Sequence, residues 1–275
     1  MKFSLFSGGR IIEDGTFIEK FQTKEVGVFE TLRVYNGRIF RESEHLIRLQ
    51  ESAKTAGWTQ PIDSRHLHEE LRLAVEHFGQ KEAVIRLTLL GNEIFIMIGE
   101  RKHPKVLYEQ GVALRTSPVK RSLSHAAFPE AKTTAYQNAV LASLEPCTQE
   151  IYEWVFLDAN GYVTEVRIGN LIMVKKSFLL TPPLRGILNG VTRRFVIECA
   201  LRTGMPVNEV PLTRHDIYNA DEAFLTNTTW EILPVRELDG RRIGSTVPGR
   251  ETLKLHRFFK QRVSEECQSQ LSAEP

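Results

Sequence analysis

Three turn signals constrain this chain more than any other feature. Asn36-Gly37, Gly91-Asn92 and Asn160-Gly161 each stand between two strand-sized runs rich in β-branched and aromatic residues. Asn36-Gly37 is a type I′ hairpin signal, because both central residues of such a turn must adopt positive φ, and Gly91-Asn92 and Asn160-Gly161 mark turns between the other β-rich runs. The paired runs are Gly27 to Tyr35 with Arg38 to Phe40, Ala83 to Leu90 with Glu93 to Ile98, and Tyr152 to Leu157 with Tyr162 to Val166. Helical spacing falls between the first two pairs. Leu46, Leu49 and Ala53 share one face of a helix from about Ser43 to Ala56, and Ser64 is placed to cap a second helix running through Leu71, Val75 and Phe78 to Gly79. Antiparallel hairpins with helices set beside them describe an α+β fold.

A chain of 275 residues, 41% hydrophobic and 25% charged, can bury two cores. The reading is a small N-terminal α/β domain over residues 1–117, a polar linker at 118–125, and a larger C-terminal domain over 126–275. The second half continues with strands Leu171 to Lys175, Phe178 to Thr181 and Asp221 to Leu225, a helix from Val191 to Thr203 stopped by Gly204, and a last helix from Glu251 to Phe259. After about Val263 the tail reads as frayed. A net charge of +2 without a basic run gives no reason to expect nucleic acid, and the longest apolar stretches, such as Ile94 to Ile98, are too short to cross a membrane. Cys147, Cys199 and Cys267 are odd in number and far apart, which argues against a disulfide framework or zinc site and for a cytoplasmic chain. No metal site is expected: His66-Leu67-His68 has the wrong spacing for two ligands on one helical face.

The chemistry starts at Lys132. It stands just ahead of Ala135, Ala139, Leu141 and Ala142, a compact helical face that Thr133 or Thr134 can cap. The positive helix start would lower the amine's pKa, and only a neutral amine attacks an aldehyde such as pyridoxal phosphate. Other segments supply what such a cofactor needs. Gly186 to Arg193 is a glycine-bracketed turn feeding a helix, a geometry that aims N–H groups at an anion, although it also serves as a plain strand-to-helix connection. Arg48 stands beside an apolar stripe where its head can turn inward to a phosphate. Glu165 ends a strand and can keep a pyridine nitrogen protonated. Leu225 to Thr229 offers hydroxyls at a strand end for a phosphate or a substrate carboxylate.

In order and spacing these segments resemble the class IV aminotransferases, the fold-type IV enzymes that use pyridoxal phosphate. The resemblance runs through Gly27-Val28-Phe29-Glu30-Thr31-Leu32-Arg33, His45-Leu46-Ile47-Arg48-Leu49 with Ser52-Ala53, the Lys132 segment, Thr164-Glu165 with Asn170, Thr181-Pro182-Pro183-Leu184, Gly186 to Arg193, and Asp221-Glu222-Ala223-Phe224 to Pro234-Val235-Arg236. It implies that Lys132 is the internal-aldimine lysine and proton shuttle, and that Glu165 pairs with the pyridine nitrogen. It implies that Arg48, the backbone of Val191 and Thr192 and the Thr228 hydroxyl hold the phosphate, with Tyr136 facing the phenolic oxygen. Phe29, Thr31, Arg86 and Thr229 are the implied substrate contacts, a homodimer the implied assembly, and an amino acid and a 2-oxo acid the implied substrates.

Several positions depart from the family pattern. Lys24-Glu25-Val26 replaces a common Tyr-Gly-Asp, Thr31 replaces the glycine of branched-chain enzymes, and Thr226-Asn227-Thr228 replaces their Thr-Gly-Thr. Leu90-Gly91 stands where D-alanine-type relatives carry a carboxylate-trapping arginine, and Arg86 stands where branched-chain relatives have an arginine serving acidic substrates. Asn189 replaces a common proline, and Val166 to Gly169 a run of smaller residues. Phe-Glu-Thr and Thr-Asn-Thr also suit an aminodeoxychorismate lyase, which releases pyruvate and 4-aminobenzoate with the same cofactor. A non-catalytic relative that binds the cofactor or a partner is the alternative of another class.

Overall fold

The structure is a computed structural model that describes residues 3–8, 10–11, 26–91, 93–120, 129–135 and 151–272. Tyr136, the helix expected after Lys132, Cys147 and residues 121–125 of the expected linker lie outside the described residues.

The chain divides into two compact units. The first comprises Met1–Lys102, Ala131–Ala135 and Val263–Pro275; the second comprises His103–Glu130 and Tyr136–Arg262. This differs from the expected limits at 117 and 126, chiefly in giving the Lys132 segment to the first unit. The physical reason is backbone pairing. Phe29 N–H donates to the Lys132 carbonyl at 3.0 Å and Thr134 N–H to the Gly27 carbonyl at 2.8 Å, around an isolated antiparallel bridge between Val28 and Thr133.

The first unit is built on an antiparallel sheet of β1 (Phe3–Ser7), β2 (Arg10–Ile11), β3 (Val28–Tyr35), β4 (Arg38–Ile39), β5 (Ala83–Leu90) and β6 (Glu93–Gly99). Their order across the sheet is β2-β1-β6-β5-β3-β4. Helices α1 (Glu42–Thr55) and α2 (Ser64–Phe78) lie in sequence between β4 and β5. Asn36 and Gly37 have φ of 51° and 79°, the two positive values a type I′ turn requires. Val28, Leu32 and Val34 from one face of β3 pack with Ile85, Leu87, Leu46, Leu49, Leu67 and Leu71 in one core. Asp63 rather than Ser64 caps α2: its carboxylate accepts from Arg65 N–H at 2.9 Å and His66 N–H at 3.3 Å, while Ser64 is already the first helical residue.

The second unit is built on a nine-stranded mixed sheet. The strands that carry site residues are β9 (Val163–Val166), β10 (Asn170–Lys175) and β13 (Glu222–Asn227). Three further strands, β14 (Glu231–Leu238), β7 (Val112–Thr116) and β8 (Ile151–Leu157), run parallel to one another. With β11 (Phe178–Thr181) and β12 (Val207–Glu209) the order is β12-β11-β10-β13-β14-β7-β8-β9, and β15 (Arg241–Arg242) pairs with β14. Helix α4 (Val191–Arg202) follows the glycine turn, and α3 (Lys105–Gln110) and α5 (Arg214–Tyr218) are short. The core gathers Val112, Leu114, Val155, Leu171, Leu225, Leu233 and Trp230.

The expected frayed tail is instead helical. Helix α6 runs from Arg250 to Ser272, far past the expected end at Phe259. Leu255, Phe259, Val263 and Cys267 are buried at a four-residue spacing, so the apolar stripe continues beneath a polar exterior. Among the described residues no helix is long and apolar enough to cross a membrane.

Candidate active site

In the first unit the site residues occupy both faces of β3. Alternation puts Glu30 on the core face with Val28, Leu32 and Val34, and puts Phe29, Thr31 and Arg33 on the other. On the core face Glu30 is wholly buried, and its carboxylate takes both forks of Arg48: Nε donates at 2.7 Å and Nη2 at 2.6 Å. His45 Nδ1 stands 2.8 Å from the same carboxylate. Burial alone would push the Glu30 carboxyl up, but the Arg48 guanidinium and His45 overcome it and hold it well below the usual carboxylate range. Burial depresses His45, and nearby Arg48 and Lys132 depress it further against the pull of Glu30, so His45 is neutral. Arg48 therefore turns inward from α1, but the partner the structure gives two of its donors is the Glu30 carboxylate.

The opposite face carries Lys132. Its Nζ lies over the Phe29 ring at 4.6 Å, and the Arg86 guanidinium stacks on that ring at 3.9 Å. Arg86 is the direct partner of Thr31 across β3 and β5, so Thr31, Arg86 and Phe29 share this face. The backbone of Lys132 is fixed at both ends: its N–H donates to Ser52 Oγ at 3.0 Å, and its carbonyl accepts from Phe29 N–H at 3.0 Å. The Thr134 hydroxyl, expected as a possible cap, accepts from Gly27 N–H at 2.9 Å.

In the second unit Asn170 organises the site. Its amide donates to buried Glu165 at 3.2 Å and to the Leu188 carbonyl at 3.1 Å, while Leu188 N–H donates to the same Glu165 oxygen at 3.1 Å. A Cβ on Gly190 would collide with the Asn170 side-chain oxygen, so glycine is required where the turn meets α4. Gly190 is the N-cap of α4, whose start carries no side-chain cap and no acidic residue in its first turn; Val191 and Thr192 are its first two residues. Such an end presents N–H groups suited to an anion.

Asn170 also pairs with Thr226 across β10 and β13. Beyond Thr226 the loop is closed by Asn227, whose side-chain oxygen accepts from Thr229 N–H at 2.9 Å, Thr229 Oγ at 3.1 Å and Trp230 N–H at 2.7 Å. The Thr226 hydroxyl, 1% exposed, has no hydrogen-bond partner among the described residues. Glu165, the α4 start and the Thr226–Thr229 loop thus meet through one asparagine, and they suit a group with a basic ring nitrogen and a phosphate.

Sequence reasoning assigns no role to Glu30, His45 or Asn170. The first two carry a signal: Glu30 is in phase with three apolar residues of β3, and His45, Arg48 and Ser52 are in phase with Leu49 on α1. Asn170 carries none, because its importance comes from contacts with residues up to 56 positions away, at Thr226.

The sequence matches the class IV aminotransferases over residues 27–238. The branched-chain-amino-acid aminotransferase of Pseudomonas aeruginosa is 32% identical over 259 residues, covering 87% of this chain and 84% of the relative. The D-alanine aminotransferase of Listeria monocytogenes is 27% identical over 266 residues, covering 88% of each. The crystal structure of the branched-chain aminotransferase from the archaeon Thermoproteus uzoniensis with norvaline matches with a TM-score of 0.82 at 29% identity, over 94% of each chain. The chain belongs to the class IV aminotransferases. Its fold is the α+β fold type IV and its activity is transamination, so the lyase and the non-catalytic alternatives are not favoured.

Proposed function

We propose that the protein uses pyridoxal phosphate to move the amino group of an L-amino acid to a 2-oxo acid, with Lys132 as the catalytic amine. The observation that carries this reading is the arrangement around Asn170, which ties a buried carboxylate, an uncapped helix start and an unpartnered buried hydroxyl into one cradle. When bound, the cofactor supplies an aldehyde for the amino group and a ring that draws electron density from the substrate carbon. Glu165, oriented by Leu188 and Asn170, keeps the pyridine nitrogen protonated. The N–H groups of Val191 and Thr192, the Thr228 hydroxyl and Arg48 take the phosphate, and Tyr136 takes the phenolic oxygen.

Lys132 Nζ removes the proton from the substrate α-carbon and returns it during the transfer. Its fixed backbone and its seat over Phe29 favour this role, because a shuttle must hold one position in both proton transfers. Phe29, Thr31, Arg86 and Thr229 shape the substrate site, with Arg86 offering a guanidinium to a carboxylate. Leu90, buried and apolar where D-alanine-type relatives carry an arginine for the substrate carboxylate, favours the L series. We further propose a homodimer working in the cytoplasm; Cys199 and Cys267 are buried and not joined in a disulfide, and burial with neighbouring carboxylates pushes the Cys267 thiol up to about 11, consistent with an unreactive thiol in a reducing compartment.

Reduction of the cofactor-loaded protein with borohydride, followed by digestion and mass spectrometry, tests the lysine assignment. The label is expected on Lys132. A label confined to another lysine would refute the assignment.

A further inference from the structure

The second unit holds a cavity of about 770 Å³, widely open to the surface, lined by residues outside the proposed transamination site. It opens at the carboxyl ends of two adjacent parallel strands: Arg115 and Thr116 end β7, and Asp239 directly follows β14. Ligands favour this end of parallel strands, where side chains of successive loops converge. None of Glu165, Val191, Thr192 or Thr228 lines it.

Its walls are cationic. Arg115, Arg214 and Arg241 line it with His215, and Asp239 is the one carboxylate among the described lining residues. That carboxylate is already committed, accepting from Thr116 N–H at 2.6 Å, Thr116 Oγ at 2.6 Å and the Tyr218 hydroxyl at 2.7 Å. Burial would raise Asp239, but these donors and Arg214 hold it below its ordinary value, so its charge is spent inside the wall. Arg241 is set in place, its guanidinium 4.7 Å over the Tyr218 ring and one N–H on the Asp239 carbonyl at 3.2 Å. The side chains of Arg115 and Arg214 form no ion pair or hydrogen bond with any described residue. The start of α5 is closed by a Thr213–Asp216 capping box, so the positive field comes from side chains.

We propose that this cavity is a second binding site, for a small anion carrying at least two negative charges on phosphate or carboxylate groups. Three guanidiniums against one ionised carboxylate leave a net excess of two positive charges, which a monovalent anion does not balance, and guanidinium forks match both groups. The volume lies within the range of small-molecule sites.

Isothermal titration of the protein saturated with pyridoxal phosphate, using sodium pyrophosphate and sodium citrate against chloride at matched ionic strength, tests the proposal. Saturation fills the phosphate cradle of the other site first. One anion per chain is expected to bind, with affinity falling as salt rises. The Arg115→Ala/Arg214→Ala double variant is expected to bind at least about tenfold more weakly, and Arg257→Ala, an exposed arginine on α6, as tightly as the parent. Tighter binding of pyrophosphate or of citrate assigns the site to phosphate or carboxylate ligands. No heat beyond the chloride control, equal affinity in the double variant, or loss of binding on saturation with pyridoxal phosphate would each overturn it.

Discussion

At the scale of single residues, the Glu30 cluster shows how a buried charge is kept ionised. Removing a carboxylate from water is costly, and Glu30 is wholly buried. It keeps its charge because Arg48 meets both oxygens and neutral His45 adds a donor, and in return Arg48 is held in one orientation. Glu30→Gln removes the charge but not the shape, and leaves the Arg48 guanidinium buried against a neutral amide. The cost should be about 3 kcal/mol at neutral pH, with weaker retention of pyridoxal phosphate if Arg48 serves the phosphate. Because the folded Glu30 is depressed, its contribution is full above the unfolded value of about 4.3 and is lost as pH falls below it. His45 is depressed as well, so its neutral form stabilises above about 6.5 and is lost as pH falls below that. Denaturant titrations should therefore show the gap between parent and variant closing on acidification below about pH 4.3. A gap that is constant or widens in acid contradicts the linkage. This cluster is half legible in the sequence. Arg48 can be read as turning inward, but its partner cannot, since a glutamate in a strand is ordinarily solvated and only its phase with Val28, Leu32 and Val34 marks it as buried.

At the scale of elements, the glycine turn before α4 links carboxylate to helix. Gly190 has an ordinary φ of −65°, so its need for glycine is one of space and not of backbone conformation. Gly190→Ala should displace Asn170, release one of the bonds on Glu165 and tilt the start of α4. We expect a stability cost of about 1–3 kcal/mol and an affinity for pyridoxal phosphate at least about tenfold weaker, read by absorbance titration. Unchanged affinity would detach this turn from cofactor binding. Elements differ in how plainly the sequence announces them, for identifiable reasons. Hairpins marked by Asn-Gly and helices with a clean apolar face stand within a residue or two of expectation. Strand β14 escapes a local reading because Pro234 interrupts it, although Pro234 pairs with Phe224 inside the sheet. The end of α6 escapes it because Ser264, Glu265, Glu266, Gln268 and Ser269 mask a stripe of one buried residue per turn. Glu266 there also meets the Arg41 guanidinium at 3.2 Å, a contact 225 positions away that no local pattern reveals.

At the scale of the whole molecule, the candidate site residues are divided between the two units. The Lys132 segment belongs with β3, although it follows the first unit in sequence by more than a linker's length, and this explains why a boundary drawn from composition places it in the second domain. The proposed dimer is tested by sedimentation equilibrium, which should return about twice the chain mass of 31.4 kDa; a single-chain mass at micromolar concentration would refute it. The central claim, transamination of an L-amino acid through a bound pyridoxal phosphate, is tested most directly by a half-reaction. The visible spectrum of the loaded protein is followed while single L- and D-amino acids are added without any oxo acid. The account predicts conversion of the bound cofactor to its pyridoxamine form with members of the L series alone, and no conversion in Lys132→Ala. Conversion by D-amino acids alone would contradict the assigned handedness, and a spectrum unchanged by every amino acid would contradict the proposed donor class.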